Sequence, residues 1–289
     1  EIHAIGLREV ERITREMDAI RTQLGFEGTL REFFDHVRND PRFRFASKEA
    51  LLDGYAAIRT RVDAAVPLLF SLTPDTPFEI RPVPAYSEKF EAAAFYRQGS
   101  RPGVFFVNTY DLPSRTSVGV ETLFLHEAIP GHHFQISLAQ ENESLPAFMR
   151  FGGTPAFVEG WALYAESLGP ELGMLSDPYQ RFGNLDDEML RAIRLVVDTG
   201  IHAMGWSREQ AIAFLLEHSA QSQTDARTEV ERYIAIPGQA LAYKVGALTI
   251  RGLRAEAERA LGRRFDPRAF HAEVLNTGAL PLQVLEQKI

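Results

Sequence analysis

The segment Leu123-Phe124-Leu125-His126-Glu127-Ala128-Ile129-Pro130-Gly131-His132-His133-Phe134-Gln135 gathers three imidazoles and a carboxylate within eight positions of an otherwise apolar stretch. Isolated His-Glu pairs are ordinarily surface groups or satisfied core groups. Three imidazoles in an apolar helix gain nothing from burial unless something pairs with them. Their donor set suits a borderline divalent cation such as zinc. In the H-E-x-x-H arrangement, two His one helical turn apart ligate the metal, and the Glu beside the first is the general base. Here the fourth residue after His126 is Pro130, which cannot ligate, and the next His, His132, comes six positions on. On an unbroken helix that offset turns the side chain away from the first face. Deleting Pro130-Gly131 leaves His-Glu-Ala-Ile-His. Pro lacks the N–H that the helical ladder needs and Gly tolerates unusual dihedrals, so the pair is expected to bulge out and return His132 to the metal face. His133, seven after His126, stays open as the alternative ligand, although a straight helix sets it about 10 Å further along the axis.

Catalytic zinc usually takes three protein ligands and leaves one position for water. The stretch Ala156–Glu166 reads as a strongly apolar helix with only two charged residues, Glu159 and Glu166, seven apart and on one face. A carboxylate there is costly unless it is paired or metal-bound. Both could instead lie on a solvent face, but Trp161, Leu163 and Tyr164 around them argue against it. Glu159 is the expected third ligand, and Glu166 could orient a ligand imidazole. Further along, His202 lies four after Asp198, so one helical face could hold the pair. It reads equally as an ordinary ion pair or as a group that orients a ligand or steadies an oxyanion.

Most of the chain must be helical to place these residues. Ile5, Val10, Ile13, Met17, Ile20 and Leu24 recur at helical spacing, followed by helices near Leu30–Val37 and Lys48–Leu69. Pro74, Pro77, Pro82 and Pro84 break the pattern and mark the plausible seam between a helical N-terminal segment, 1–72, and a metal-bearing core, 73–289. Phe78–Val83 alternates like a strand, and Val104–Val107 is a short β-rich run ending at Asn108. Helices are then expected over Val118–Ile129, His132–Glu141, Pro155–Leu168, Asp186–Met204, Ser207–His218, Thr224–Ile234, Gln239–Leu261 and Pro267–Leu275. Ser207 with Gln210 fits a capping box, and Asp266-Pro267 fits an N-cap followed by Pro at the first helical position. His3, His36, His218 and His271 stand among charged residues and read as solvated, as does the Arg/Glu face of Arg251–Arg264. The fold class is mainly α, with a small β element before the metal-binding helix.

The 289 residues are 45% hydrophobic and 24% charged, enough to bury a large core and too apolar for disorder. The absence of cysteine excludes a disulfide scaffold, an iron–sulfur cluster, a zinc ribbon and a thiol nucleophile, and leaves the compartment open. A net charge of −8 with no basic stripe argues against nucleic acid. No apolar run reaches the length of a membrane span. The chain begins at Glu1 rather than Met, which reads as a fragment or processed form and leaves any targeting segment outside it.

The stretches His126–Gln135, Phe157–Glu166, Asp198–His202 with Gly205-Trp206-Ser207, and Arg232-Tyr233 with Pro237–Lys244 together resemble the bacterial family labelled domain of unknown function 885, whose hallmark is H-E-x-x-P-G-H. The resemblance spans essentially the whole chain. It implies a zincin-like, mostly helical fold distantly similar to thimet oligopeptidase and carboxypeptidase Taq. It implies zinc (Zn2+) held by His126, His132 and Glu159, with Glu127 as base. Family members are generally longer, so this chain looks like the C-terminal, metal-bearing half, with the other half as a partner at the cleft. The expected activity is a zinc-dependent hydrolase acting on peptide bonds of peptides or small oligopeptides. The alternatives are cleavage of a non-peptide amide, and an inactive metal-binding fragment or interaction module. By analogy with related helical zincins, Tyr243 is the candidate oxyanion donor; a buried phenol bonded to backbone is the equal alternative, and Tyr233 a weaker one. His202 joins the catalytic candidates. Arg232, Gln239 and Lys244 are the candidates for holding substrate, Arg232 and Lys244 through its carboxylate. In zincins an edge strand before the metal helix pairs with extended substrate, which assigns Val104–Asn108 that role and Asn108 a place near the cleft; a plain core strand with Asn108 as its turn residue is the alternative.

Overall fold

The structure is a computed structural model that describes residues 1–99 and 101–289. Helix α1 (Ile2–Gln23) buries Gly6, Val10, Ile13, Met17 and Ile20 along one stripe. A capping box between Thr29 and Glu32 opens α2 (Leu30–Asn39), and Ser47 caps α3 (Lys48–Leu69). Three short strands follow: β1 (Phe78–Pro82), β2 (Ala94–Arg97) and β3 (Gly103–Val107). Ten helices complete the described chain: α4 (Val120–Glu127), α5 (His132–Glu141), α6 (Ala147–Phe151), α7 (Pro155–Ser167), α8 (Pro178–Met204), α9 (Arg208–His218), α10 (Gln223–Ala235), α11 (Ala242–Leu261), α12 (Pro267–Leu275) and α13 (Leu282–Lys288). The fold is mainly helical with a small sheet. No described helix is long and apolar enough to cross a membrane.

The sheet runs in the order β1-β3-β2, with β1 parallel and β2 antiparallel to β3. The run assigned as a substrate-pairing edge is therefore the central strand. Its five residues are buried, and its backbone is engaged on both sides. The edge beside α4 belongs to β2, which the sequence reading missed. Helix α8 begins at Pro178 rather than Asp186, because Asp177 accepts the Tyr179 N–H and Pro178 occupies the first turn. The capping box at Ser207 and the Asp266-Pro267 start form as expected.

Two apolar clusters organise these elements. One joins α3, the sheet, α4, α5, α7 and α11–α13 around Phe105, Phe124, Phe157 and Trp161. The other joins α1 and α2 to α8–α10 around Met17, Phe33, Ile193 and Val196. The boundary drawn at the Pro-rich stretch does not separate them, since α3 belongs with the first cluster and α1 and α2 with the second. Helices α7 and α11 cross closely where Gly160 meets Gly246, and a Cβ on Gly246 would overlap the Ala156 carbonyl. That crossing fixes the face of α7 that carries Glu159.

The isolated histidines are not solvated as a group. His3, His36 and His218 are half-buried against Trp206, Phe33 and Phe214. His271 is fully buried between α3 and α7, accepting the Tyr164 hydroxyl at 2.8 Å and donating to the Leu69 carbonyl at 2.8 Å. The Arg251–Arg264 face is partly tied down too, since Arg251 reaches Glu188 and Arg254 reaches Glu171.

Candidate metal centre

Helix α4 stops at Glu127, where Ala128 leaves helical dihedrals, and α5 starts at His132. Between them Gly131 packs against the His126 carbonyl so closely that any Cβ would overlap it. The Pro130 carbonyl is held from the far side by the indole N–H of Trp161 at 2.8 Å, which ties the turn to α7. The reversal sets the His126 and His132 rings 4.8 Å apart and perpendicular. His133 points elsewhere. It packs on Phe78 and Tyr96, and burial pushes its pKa down to about 4.

Glu159 approaches from α7, its Oε2 lying 3.7 Å from His126 Nε2 and 3.4 Å from His132 Nε2. Both separations exceed an ordinary N–H···O hydrogen bond. They match the edge of a tetrahedron with metal–ligand bonds of about 2.0–2.1 Å, which is about 3.3 Å. Behind the first ring, Glu166 Oε1 accepts from His126 Nδ1 at 2.7 Å. This bond leaves the proton on Nδ1 and turns the Nε2 lone pair toward His132 and Glu159. The other Glu166 oxygen and His132 Nδ1 are buried without a partner among the described residues. Ligand atoms of His126, Glu127 and His132 all lie within 4.8 Å of one another.

The electrostatics would also accommodate a cation. Burial lowers the His126 pKa, but the Glu159 and Glu166 carboxylates outweigh it and hold the ring up at about 10. Burial raises Glu159, yet the two imidazoles drive it well below the usual carboxylate range. Burial pushes Glu166 up. Three carboxylates face two imidazoles here, and the excess negative charge is met by protons or by a divalent ion in the same place. The donor set, the spacing and the orienting carboxylate all fit a borderline divalent ion.

Glu127 faces the space beside this cluster. Its Oε2 accepts the Tyr96 N–H of the edge strand β2 at 2.9 Å. It also lines a cavity of about 480 Å³, along with Tyr55, Asn108, Arg115, Asp187 and Arg191. Asn108 is buried at the cavity wall, donating to the Glu88 and Glu91 carbonyls and accepting the Tyr110 N–H. It shapes the loop beside the cleft. Arg115, Asp187, Arg191 and the backbone of Tyr96 escaped the sequence reading, for each is an ordinary residue outside any motif.

The remaining candidates divide. Tyr243 is half-buried beneath the Arg194 guanidinium, which lies 4.6 Å from the centre of its ring. No described residue hydrogen-bonds its hydroxyl. Lys244 is corrected outright. Its ammonium is fully buried, 2.6 Å from Glu188 and 2.7 Å from Glu9, and ties α11 to α8 and α1. It cannot meet a substrate carboxylate. Arg232 donates to Gln239 Oε1 at 2.7 Å and to Glu229 at 3.1 Å. His202 is bonded to the Tyr233 carbonyl at 3.0 Å, while Asp198 accepts the Gly238 N–H at 3.0 Å. The Asp198–His202 pair is therefore not in direct contact. Each residue braces the α10–α11 connection instead. Tyr233 is buried in the same brace, bonded to Glu229. Arg232, Gln239, His202 and Tyr233 thus make their contacts in this brace and not at the metal centre.

Over residues 1–289 the chain matches the family model described as "Bacterial protein of unknown function (DUF885)". No curated protein matches it. It is similar to the crystal structure of a "putative lipoprotein" from Colwellia psychrerythraea at 39% identity and a TM-score of 0.96, covering 99% of this chain and 51% of that one. It shares its fold with a "putative lipoprotein of unknown function" from Shewanella oneidensis at 23% identity and a TM-score of 0.81, covering 99% of this chain and 55% of that one. The chain thus spans about half the length of these solved structures.

Proposed function

The chain belongs to the bacterial family of unknown function DUF885, and from that premise we propose that it is a zinc-dependent hydrolase cleaving peptide bonds of peptides or small oligopeptides. The observation that carries this reading is the convergence of His126 Nε2, His132 Nε2 and Glu159 Oε2 at spacings too long for hydrogen bonds and right for shared ligation. These three residues would hold the ion, with Glu166 orienting His126. A zinc ion there supplies a polarised carbonyl and a water acidic enough to ionise near neutral pH.

The chain's own residues supply the rest. Glu127 stands beside the ligands with one oxygen held by the Tyr96 N–H, leaving its other oxygen to take the proton of the attacking water. It returns that proton to the leaving nitrogen, so the amine departs neutral. Tyr243, whose hydroxyl is uncommitted, is the second donor to the developing oxyanion. The outer side of β2 carries the backbone groups of Ala94 and Tyr96, because Phe95 and Arg97 are the residues that bond to β3. The Tyr96 N–H is spent on Glu127, so an extended peptide would pair through the Ala94 backbone and the Tyr96 carbonyl, along the cavity that Glu127 lines.

The test is Glu127→Gln, assayed on quenched fluorescent oligopeptides with metal content measured in parallel. The expected result is a fall of about 10²–10⁴-fold in turnover with the metal retained. Unchanged turnover would remove Glu127 as base and the hydrolytic reading with it.

A further inference from the structure

The cavity beside Glu127 carries two arginines on its wall, of which only Arg191 has a carboxylate described to pair with it. Arg115 lines it, and its guanidinium makes no hydrogen bond or ion pair with any described residue; its Nε is buried and unpartnered. Arg191, on the same wall, spends Nη1 on the Asp187 carboxylate at 2.8 Å, while its Nε is likewise buried without a partner. Asp187 is the other carboxylate lining the cavity, and Arg191 already pairs with it, with the Glu166 carboxylate also bearing on Arg191. Glu127 also lines the cavity, beside the imidazoles. An unpaired arginine N–H in a buried setting is costly to leave unmet. Its planar fork matches a carboxylate, whose two oxygens it can bond at once. The volume, about 480 Å³, is in the range of sites that enclose small ligands. A second cavity of about 270 Å³ shares Thr116, Val118, Gly119 and Asp187 with the first and extends the groove.

We propose that this cavity binds a carboxylate of the peptide, with Arg115 as its main partner and Arg191 Nε–H as the second, so that the enzyme selects acidic or carboxyl-terminal segments next to the reacting bond. The carboxylate comes from the peptide's own terminus or from an Asp or Glu side chain. Calling that peptide a substrate rests on the hydrolase reading above; its binding does not.

The test is calorimetric titration of the full chain, stripped of metal with a chelator and then reloaded with zinc as Glu127→Gln. The probes are N-acetyl-trialanine as free acid and as amide, and the amides of N-acetyl-Ala-Glu-Ala and N-acetyl-Ala-Gln-Ala. An acid should bind roughly 10–100-fold more tightly than its neutral counterpart, stripped or loaded. Arg115→Met should close that gap, and Arg115→Lys should restore part of it. A gap confined to the trialanine pair identifies the terminal carboxylate, and a gap in the Glu/Gln pair identifies an acidic side chain. Equal binding of acid and neutral probes by the unsubstituted protein would overturn the proposal without recourse to any variant. So would a preference that survives in folded Arg115→Met. If Glu127→Gln leaves turnover unchanged while the Arg115-dependent preference persists, the hydrolase reading falls and the carboxylate site stands.

Discussion

On the proposed zinc reading, a buried carboxylate with one oxygen committed to an imidazole is the residue that would orient His126 as a ligand. Glu166 fixes the proton on Nδ1, and the Nε2 lone pair can then face the centre. Glu166→Gln is expected to weaken zinc binding by roughly 10–100-fold, read by competition with a chromophoric chelator. Unchanged affinity would mean that the ring needs no such support. Lys244 makes the opposite point. Its charge is structural, and Lys244→Met leaves Glu9 and Glu188 short of one buried cation. Urea denaturation should show a loss of about 3 kcal/mol, and no loss would contradict the role given to the pair. From sequence alone Lys244 looked like a substrate contact, because its acidic partners are more than fifty positions away in one case and more than two hundred in the other. Arg115 is the complementary case: a lone arginine in a loop reads as solvated until a cavity is seen around its guanidinium.

Among the elements, the break between α4 and α5 is the one on which the proposed metal site depends. It was legible in the residue types, because a Pro without an N–H and a Gly without a Cβ can only interrupt a helix in certain ways. What the residue types did not convey is how tightly Gly131 meets the His126 carbonyl. Gly131→Ala must force the two segments apart. The expected outcome is a loss of zinc binding with a destabilisation of about 1–3 kcal/mol, checked by metal analysis and thermal melting. A metal-replete Gly131→Ala would contradict the stated geometry. Helix starts were legible where a capping residue and its partner sit together, as at Ser207 and Gln210. The Asp177-Pro178 start of α8 carries the same signal as Asp266-Pro267. It was passed over because apolar spacing becomes regular only further along. Strand β2 has four residues and no clean alternation, so its edge position, and with it the hydrogen bond from Tyr96 to Glu127, emerged only from the fold.

At the scale of the whole molecule, stability and the site share one core. His271 joins α12 to α3 and α7 with both ring nitrogens engaged, and burial pushes its pKa down to about 4. The unfolded chain protonates this ring near pH 6.5 and the folded protein does not until about 4. Its contribution is therefore full above pH 6.5 and declines as pH falls toward 4, by about 3 kcal/mol in all. Urea midpoints between pH 7 and 4.5 should fall accordingly, and His271→Gln should flatten that part of the slope. An unchanged slope in His271→Gln would assign the acid sensitivity to other groups. The central claim is that two imidazoles and a carboxylate from separate helices share one ion, and anomalous diffraction on either side of the zinc edge, from crystals soaked in zinc, tests it most directly. The expected map has a single peak about 2.0–2.2 Å from His126 Nε2, His132 Nε2 and a Glu159 oxygen. A map with no peak among those three atoms, or with the zinc bound elsewhere, would contradict it.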